Sequence, residues 1–91
     1  MSAPEPDPVL KRLREQISEV DRSIFEAVNR RLELVVELKA HKDRHGIDFL
    51  DPKREEWLFA YQSKANRGPL TDEGLRAFYA ELLALTKREV G

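Results

Sequence analysis

At 91 residues, with 41% hydrophobic and 36% charged positions, the chain has the size and balance of one soluble, helix-rich domain, not of a disordered or membrane-embedded segment. Its 16 basic and 17 acidic residues are interspersed, for a formal net charge of -1, which gives no electrostatic footing for DNA or RNA. The absence of cysteine excludes disulfides and thiolate-bound metals, and no apolar run approaches the ~20 residues that a membrane-spanning helix needs.

Residues 1–7, with Pro4 and Pro6, lack the basic start and apolar centre of a secretion signal. They read as a loose tail before a single domain over 8–91, and the expected location is the cytoplasm. Asp7-Pro8 is a helix start, since aspartate caps orphan N–H groups and proline fits the first helical position. No glycine or proline follows from Val9 to His45, so one long helix is predicted to about Lys42, with Gly46 as its stop and Ile47–Leu50 as a short apolar loop. Asp51-Pro52 repeats the start signal for a second helix to about Lys64 or Ala65, carrying Leu58, Tyr61 and Ala65 with Trp57 nearby. Asn66-Arg67-Gly68-Pro69 breaks it. Thr71 caps a third helix that opens with Asp72 and Glu73, acids suited to a helix N-terminus. Its predicted stripe is Leu75, Phe78, Leu82 and Leu85, with Tyr79, Leu83, Thr86 and Val90 alongside. The fold class is therefore all-α with three helices. Among its leucines, Phe78 and Tyr79 read as core, as do Trp57 and Phe59, not as a stacking platform.

Cations interrupt the apolar pattern of the first helix. Counting sevens gives the rows Leu10, Ile17, Ile24, Arg31, Leu38 and Leu13, Val20, Ala27, Leu34, His41, the two seam positions of a heptad repeat. A flanking row is Arg14, Asp21, Val28, Val35 and Lys42. Arg14, Arg31 and Lys42 thus lie in or beside a face that burial favours. Some 35 residues at ~1.5 Å rise make a rod of roughly 50 Å, too long for a compact domain with a radius of gyration near 12 Å. Two shorter helices cover only part of it, so the remainder is expected to pair with a second copy, most simply as a two-fold dimer.

Arg31 and Lys42 return to nearly the same angular position roughly 16 Å apart along the helix axis and can point into one cleft. Arg14 lies roughly 25 Å before Arg31 and is rotated by about 100°, so it reaches the same small ligand only from a partner chain. Asp51, Arg54 and Glu55 open the second helix and can supply a facing wall. Several cations with one or two acids suit a small polyanion bearing hydroxyls, because Arg grips carboxylates through its planar fork and Glu accepts from a hydroxyl. The other reading is that these cations snorkel and pair with acids on neighbouring helices. Arg31 fits that reading worst, since an unpaired cation at a central seam position is costly. The only imidazoles, His41 and His45, read as surface residues, because a metal needs three or four ligands and nothing nearby completes a set.

The stretches Leu13-Arg14-Glu15-Gln16-Ile17-Ser18-Glu19-Val20-Asp21, Arg30-Arg31-Leu32-Glu33-Leu34, Lys39-Ala40-His41-Lys42 and Asp51-Pro52-Lys53-Arg54-Glu55 occur in an order and spacing that resembles the small all-helical chorismate mutases. The resemblance covers essentially the whole chain. It implies a three-helix protomer with one long N-terminal helix, forming an intertwined homodimer with two active sites. It also implies rearrangement of chorismate to prephenate, in phenylalanine and tyrosine biosynthesis from the shikimate pathway, without a cofactor. Carried over by residue, Arg14 of the partner and Arg31 hold the two carboxylates, and Lys42 meets a carboxylate and the ether oxygen whose bond breaks. Glu55, with backbone near Asp51, takes the ring hydroxyl, and Arg54 completes the charged wall. The catalytic set is then Lys42, Arg31 and Glu55.

On the third helix, matching Tyr79-Ala80-Glu81-Leu82-Leu83 to the family pattern puts Thr86 at a position that binds the ring carboxylate. The same register puts Val90 where the family usually has Gln or Glu at the ether oxygen. A shift by one puts Glu89 there and Leu85 at the hydroxyl position; the first register keeps Phe78 and Leu82 in the stripe. Val90 in that wall implies weak intrinsic activity, or activity raised by a partner enzyme of the same pathway that orders the chain end. The alternatives are a mutase or lyase acting on 4-amino-4-deoxychorismate or isochorismate in the same pocket, and a non-enzymatic helical interaction module.

Overall fold

The computed structural model describes residues 7–48 and 51–91. The predicted tail, up to residue 6, and Phe49 and Leu50 of the predicted loop lie outside the described residues. Three α-helices are present: α1 (Pro8–Arg44), α2 (Pro52–Ala65) and α3 (Asp72–Val90).

The predicted caps form as chemistry dictates. Asp7 Oδ1 accepts from Val9 N at 2.9 Å and Leu10 N at 3.4 Å. Asp51 Oδ1 accepts from Arg54 N at 3.2 Å, and Thr71 Oγ1 accepts from Gly74 N at 3.0 Å. Each satisfies N–H groups that a helix start leaves without an intrahelical partner. At the other end of α1, Ile47 N donates to Lys42 O at 2.9 Å and Gly46 N to Asp43 O at 3.5 Å, the two reverse bonds of a Schellman closure. That closure places Gly46 at φ +64°. A Cβ at Gly46 would meet nothing within 4 Å, so only backbone strain opposes a side chain. Gly46→Ala is expected to lower the unfolding free energy by roughly 1–2 kcal/mol, read in thermal or denaturant unfolding. At Gly74 the constraint is spatial instead, because a Cβ would come within 2.9 Å of Leu70 Cδ1.

The α2–α3 connection is tied by short polar bonds. Ser63 Oγ donates to Asp72 Oδ1 at 2.8 Å, Asn66 Nδ2 donates to Leu70 O at 2.7 Å, and Gly68 N donates to Asn66 Oδ1 at 3.2 Å.

The chain divides into two compact units, Met1–Glu33 and Leu34–Gly91. In the first, the described residues are the α1 segment up to Glu33, exposed throughout except at Val28, Arg31 and Leu32. The second holds the last turns of α1, with Val35, Lys39 and Lys42 half-buried, and the packed pair α2 and α3. The half-buried positions of α1 thus include Val28, Val35 and Lys42 of the flanking row. The heptad seam stays open, from 39% exposed at Leu10 to 60% at Ile17.

Among the described residues no hydrophobic side chain is fully buried. This corrects the aromatic core expected from sequence: Trp57 and Phe78 are 54% and 53% exposed, while Phe59 and Tyr79 are half-buried. A pair of packed helices covers only one face of each, and Trp57 and Phe78 stand off that face. On α3 the covered row is Gly74, Leu75, Tyr79, Leu82, Leu83, Ala84, Leu85, Thr86 and Val90, so that of the predicted stripe Phe78 alone falls outside it. Trp57 instead stacks on Tyr61, with centroids 5.4 Å apart and planes 15° apart, and the Arg54 guanidinium carbon lies 4.6 Å from the Trp57 centroid.

Candidate active site

Of the eight residues singled out from sequence, Arg14 and Arg31 belong to the first unit and Lys42, Asp51, Arg54, Glu55, Thr86 and Val90 to the second. Arg14 is exposed and Arg31 half-buried, both on α1.

In the second unit Lys42 is half-buried on the last turns of α1 and Glu55 is half-buried in the first turn of α2. Glu55 also lies where the helix N-terminus stabilises a carboxylate. Asp51 is exposed, with Oδ1 capping α2 and its main-chain carbonyl accepting from Glu55 N at 3.1 Å. Arg54 is exposed and rests over Trp57, a cation–π contact worth ~0.5–1 kcal/mol at an exposed site.

Thr86, 8% exposed, is the one buried residue among the described residues. Its Oγ1 donates to Leu82 O at 2.7 Å, so the hydroxyl is satisfied within its own helix and must rotate before it can donate to a carboxylate. Val90, one turn beyond, is half-buried, whereas Glu89 is exposed. Val90 thus shares the covered row of α3 with Thr86. Phe78, expected to share that row, lies outside it.

His41 and His45 are exposed with ring centroids 4.3 Å apart, and among the described residues no group of three His, Cys, Asp or Glu could hold a metal ion. A groove of about 500 Å³ between α2 and α3 is lined by Phe59, Ser63, Lys64, Asp72, Glu73 and Arg76, and none of the predicted site residues faces it. Its mixed charges do not select a dianion. No helix among the described residues is long and apolar enough to cross a membrane.

One contact was not legible from sequence. Lys39, half-buried one turn before Lys42, donates from Nζ to Gly91 O at 2.9 Å. Its partner lies 52 positions away, beyond any local spacing rule.

Comparison with known proteins agrees with this architecture. The sequence family described as chorismate mutase type II matches residues 13–90. Two solved forms of the chorismate mutase from Thermus thermophilus are similar in fold. Form II has a TM-score of 0.82 and 31% identity, covering 89% of this chain and 92% of that one. Form I has a TM-score of 0.81 and 32% identity, covering 85% and 96%. Among curated relatives, the T-protein of Enterobacter agglomerans is 38% identical over 55 residues, which span 60% of this chain and 15% of that protein. The 4-amino-4-deoxychorismate mutase of Streptomyces venezuelae is 36% identical over 45 residues, spanning 50% and 44%. The chain thus matches less than half the length of either curated relative. With a family match running from the first turns of α1 to the last residue of α3 and a shared three-helix fold, the chain belongs to the chorismate mutase type II family.

Proposed function

We propose that this chain is an intramolecular transferase that rearranges chorismate to prephenate in aromatic amino acid biosynthesis, as a cytoplasmic homodimer. The observation that carries the reading is the family match over residues 13–90, which spans all the site residues named from sequence. The open heptad seam of α1 supports the dimer, because its leucines, isoleucines and valine find cover only against another helix, most simply a second copy.

The reaction breaks one carbon–oxygen bond and forms one carbon–carbon bond within a single molecule, with no nucleophile or proton transfer. The protein has two tasks, selecting the compact conformer and stabilising charge that develops toward the ether oxygen. Arg31 and the partner's Arg14 hold the carboxylates as bidentate forks and so fold the substrate. Lys42 donates to the ether oxygen, Glu55 accepts from the ring hydroxyl beside the Asp51 backbone, and Arg54 closes the cationic wall. Thr86 meets the ring carboxylate, and Val90 offers an apolar wall that adds no second donor at the ether oxygen. Lys42 therefore carries most of that stabilisation, and intrinsic turnover is modest unless a partner enzyme of the same pathway improves the wall.

Following chorismate absorbance with product identification tests the proposal. Prephenate is the expected product. The likeness to a 4-amino-4-deoxychorismate mutase gives the other reading its weight; turnover of the amino analogue alone would transfer the assignment to it. A folded dimer that consumes neither compound would leave only a helical interaction module.

A further inference from the structure

We propose that Lys39 is a positioning residue that ties the end of α3 to α1 and so keeps Thr86 and Val90 in the wall of the site, an inference that rests on the site proposed above. Lys39 lies three residues before Lys42, on the same face of α1, and both are half-buried. Its Nζ reaches Gly91 O at 2.9 Å. Gly91 closes α3: its φ is +86° and its N–H donates to Lys87 O at 3.0 Å. The tie therefore joins the α1 turn that carries Lys42 to the α3 turn that carries Val90, with Thr86 one turn behind.

Two physical effects make the tie consequential. Oxygen acceptors at a helix C-terminus lie at the negative end of the helix dipole, and an ammonium group meets both the acceptor and the field. Lysines three apart on one face also repel. Seating the Lys39 charge on the end of α3 engages it with the protein, so Lys39 supports the wall while Lys42 addresses the substrate anion. Without the tie, the last turn of α3 frays, and the binding-competent arrangement is populated only part of the time. Apparent affinity then falls by that fraction, while turnover at saturation, where substrate itself holds the wall, is preserved.

The test compares wild type, Lys39→Met and Lys39→Arg in steady-state kinetics and amide hydrogen exchange. Lys39→Met is expected to raise KM about two- to fivefold, the fold-change a helix-end cation supports, with kcat held within about twofold. Exchange at residues 87–91 should accelerate while α2 is unchanged, and Lys39→Arg should restore both readouts. An unchanged KM, a kcat loss as deep as that of Lys42→Ala, or failure of arginine to rescue would overturn the proposal. Far-UV circular dichroism identifies a variant that fails to fold, and Lys39→Arg then carries the test, since an arginine that folds with normal kinetics is expected and one with raised KM and fast exchange at 87–91 is not. Arg31→Ala keeps the two levels apart: full activity in that variant refutes the site itself, whereas its inactivity beside an unaltered Lys39→Met refutes only the tie.

Discussion

Arg31→Ala and Lys42→Ala are expected to abolish chorismate turnover, each lowering kcat/KM by at least ~10²–10³, while far-UV circular dichroism keeps its helical signature. The two losses should divide differently between the kinetic parameters. In the proposed site Arg31 grips a carboxylate that is present before, during and after the rearrangement, so much of its effect falls on KM. Lys42 meets charge that grows only as the ether bond breaks, so its removal falls mainly on kcat. The fold should tolerate both changes, because both residues are only half-buried on a continuous helix and the C-terminal closure uses the main-chain carbonyl of Lys42, which alanine keeps. Wild-type-like rates in either variant would sink the assignment of that residue.

A second experiment addresses which chain supplies Arg14. Arg14→Ala and Lys42→Ala chains, each inactive alone, are expected to recover about a quarter of wild-type activity when refolded together in equal amounts. Random two-fold assembly makes about half the dimers mixed, and each mixed dimer holds one intact site and one doubly altered site. The recovery depends on the partner's Arg14 completing a site built on the other chain's Lys42. If Arg14 served its own chain, every site in the mixture would lack one cation and activity would stay at the level of the separate variants.

Much of the fold was legible from short-range chemistry. Asp7-Pro8, Asp51-Pro52 and Thr71 mark helix starts because their side-chain oxygens answer orphan N–H groups a few residues on, and the bonds from Val9, Arg54 and Gly74 are those bonds. Gly46 marked the end of α1 because a left-handed φ is inexpensive only for glycine. The family resemblance was legible because Arg14, Arg31, Lys42, Asp51, Arg54 and Glu55 keep a fixed spacing along two helices. What sequence misjudged on α3 was Phe78, since Leu75, Leu82 and Leu85 of the predicted stripe are covered. Phe78 and Tyr79 are both aromatic and neighbours, and only the helix rotation, set by packing against another element, separates them. The contact of Lys39 with Gly91 was invisible for a related reason, since it joins residues that no periodicity relates. The Arg54–Trp57 stack follows an i, i+3 spacing, yet the same spacing served equally well for a guanidinium aimed at a ligand.

The lack of any fully buried hydrophobic side chain among the described residues bears on how such a chain acquires its structure at all. A polypeptide that hides so little oil within itself has scant free energy to set against lost chain entropy. In the proposed assembly that burial arrives only with a second molecule, so folding becomes a second-order reaction and the folded fraction follows mass action. For a protein built this way, dilution acts as a denaturant.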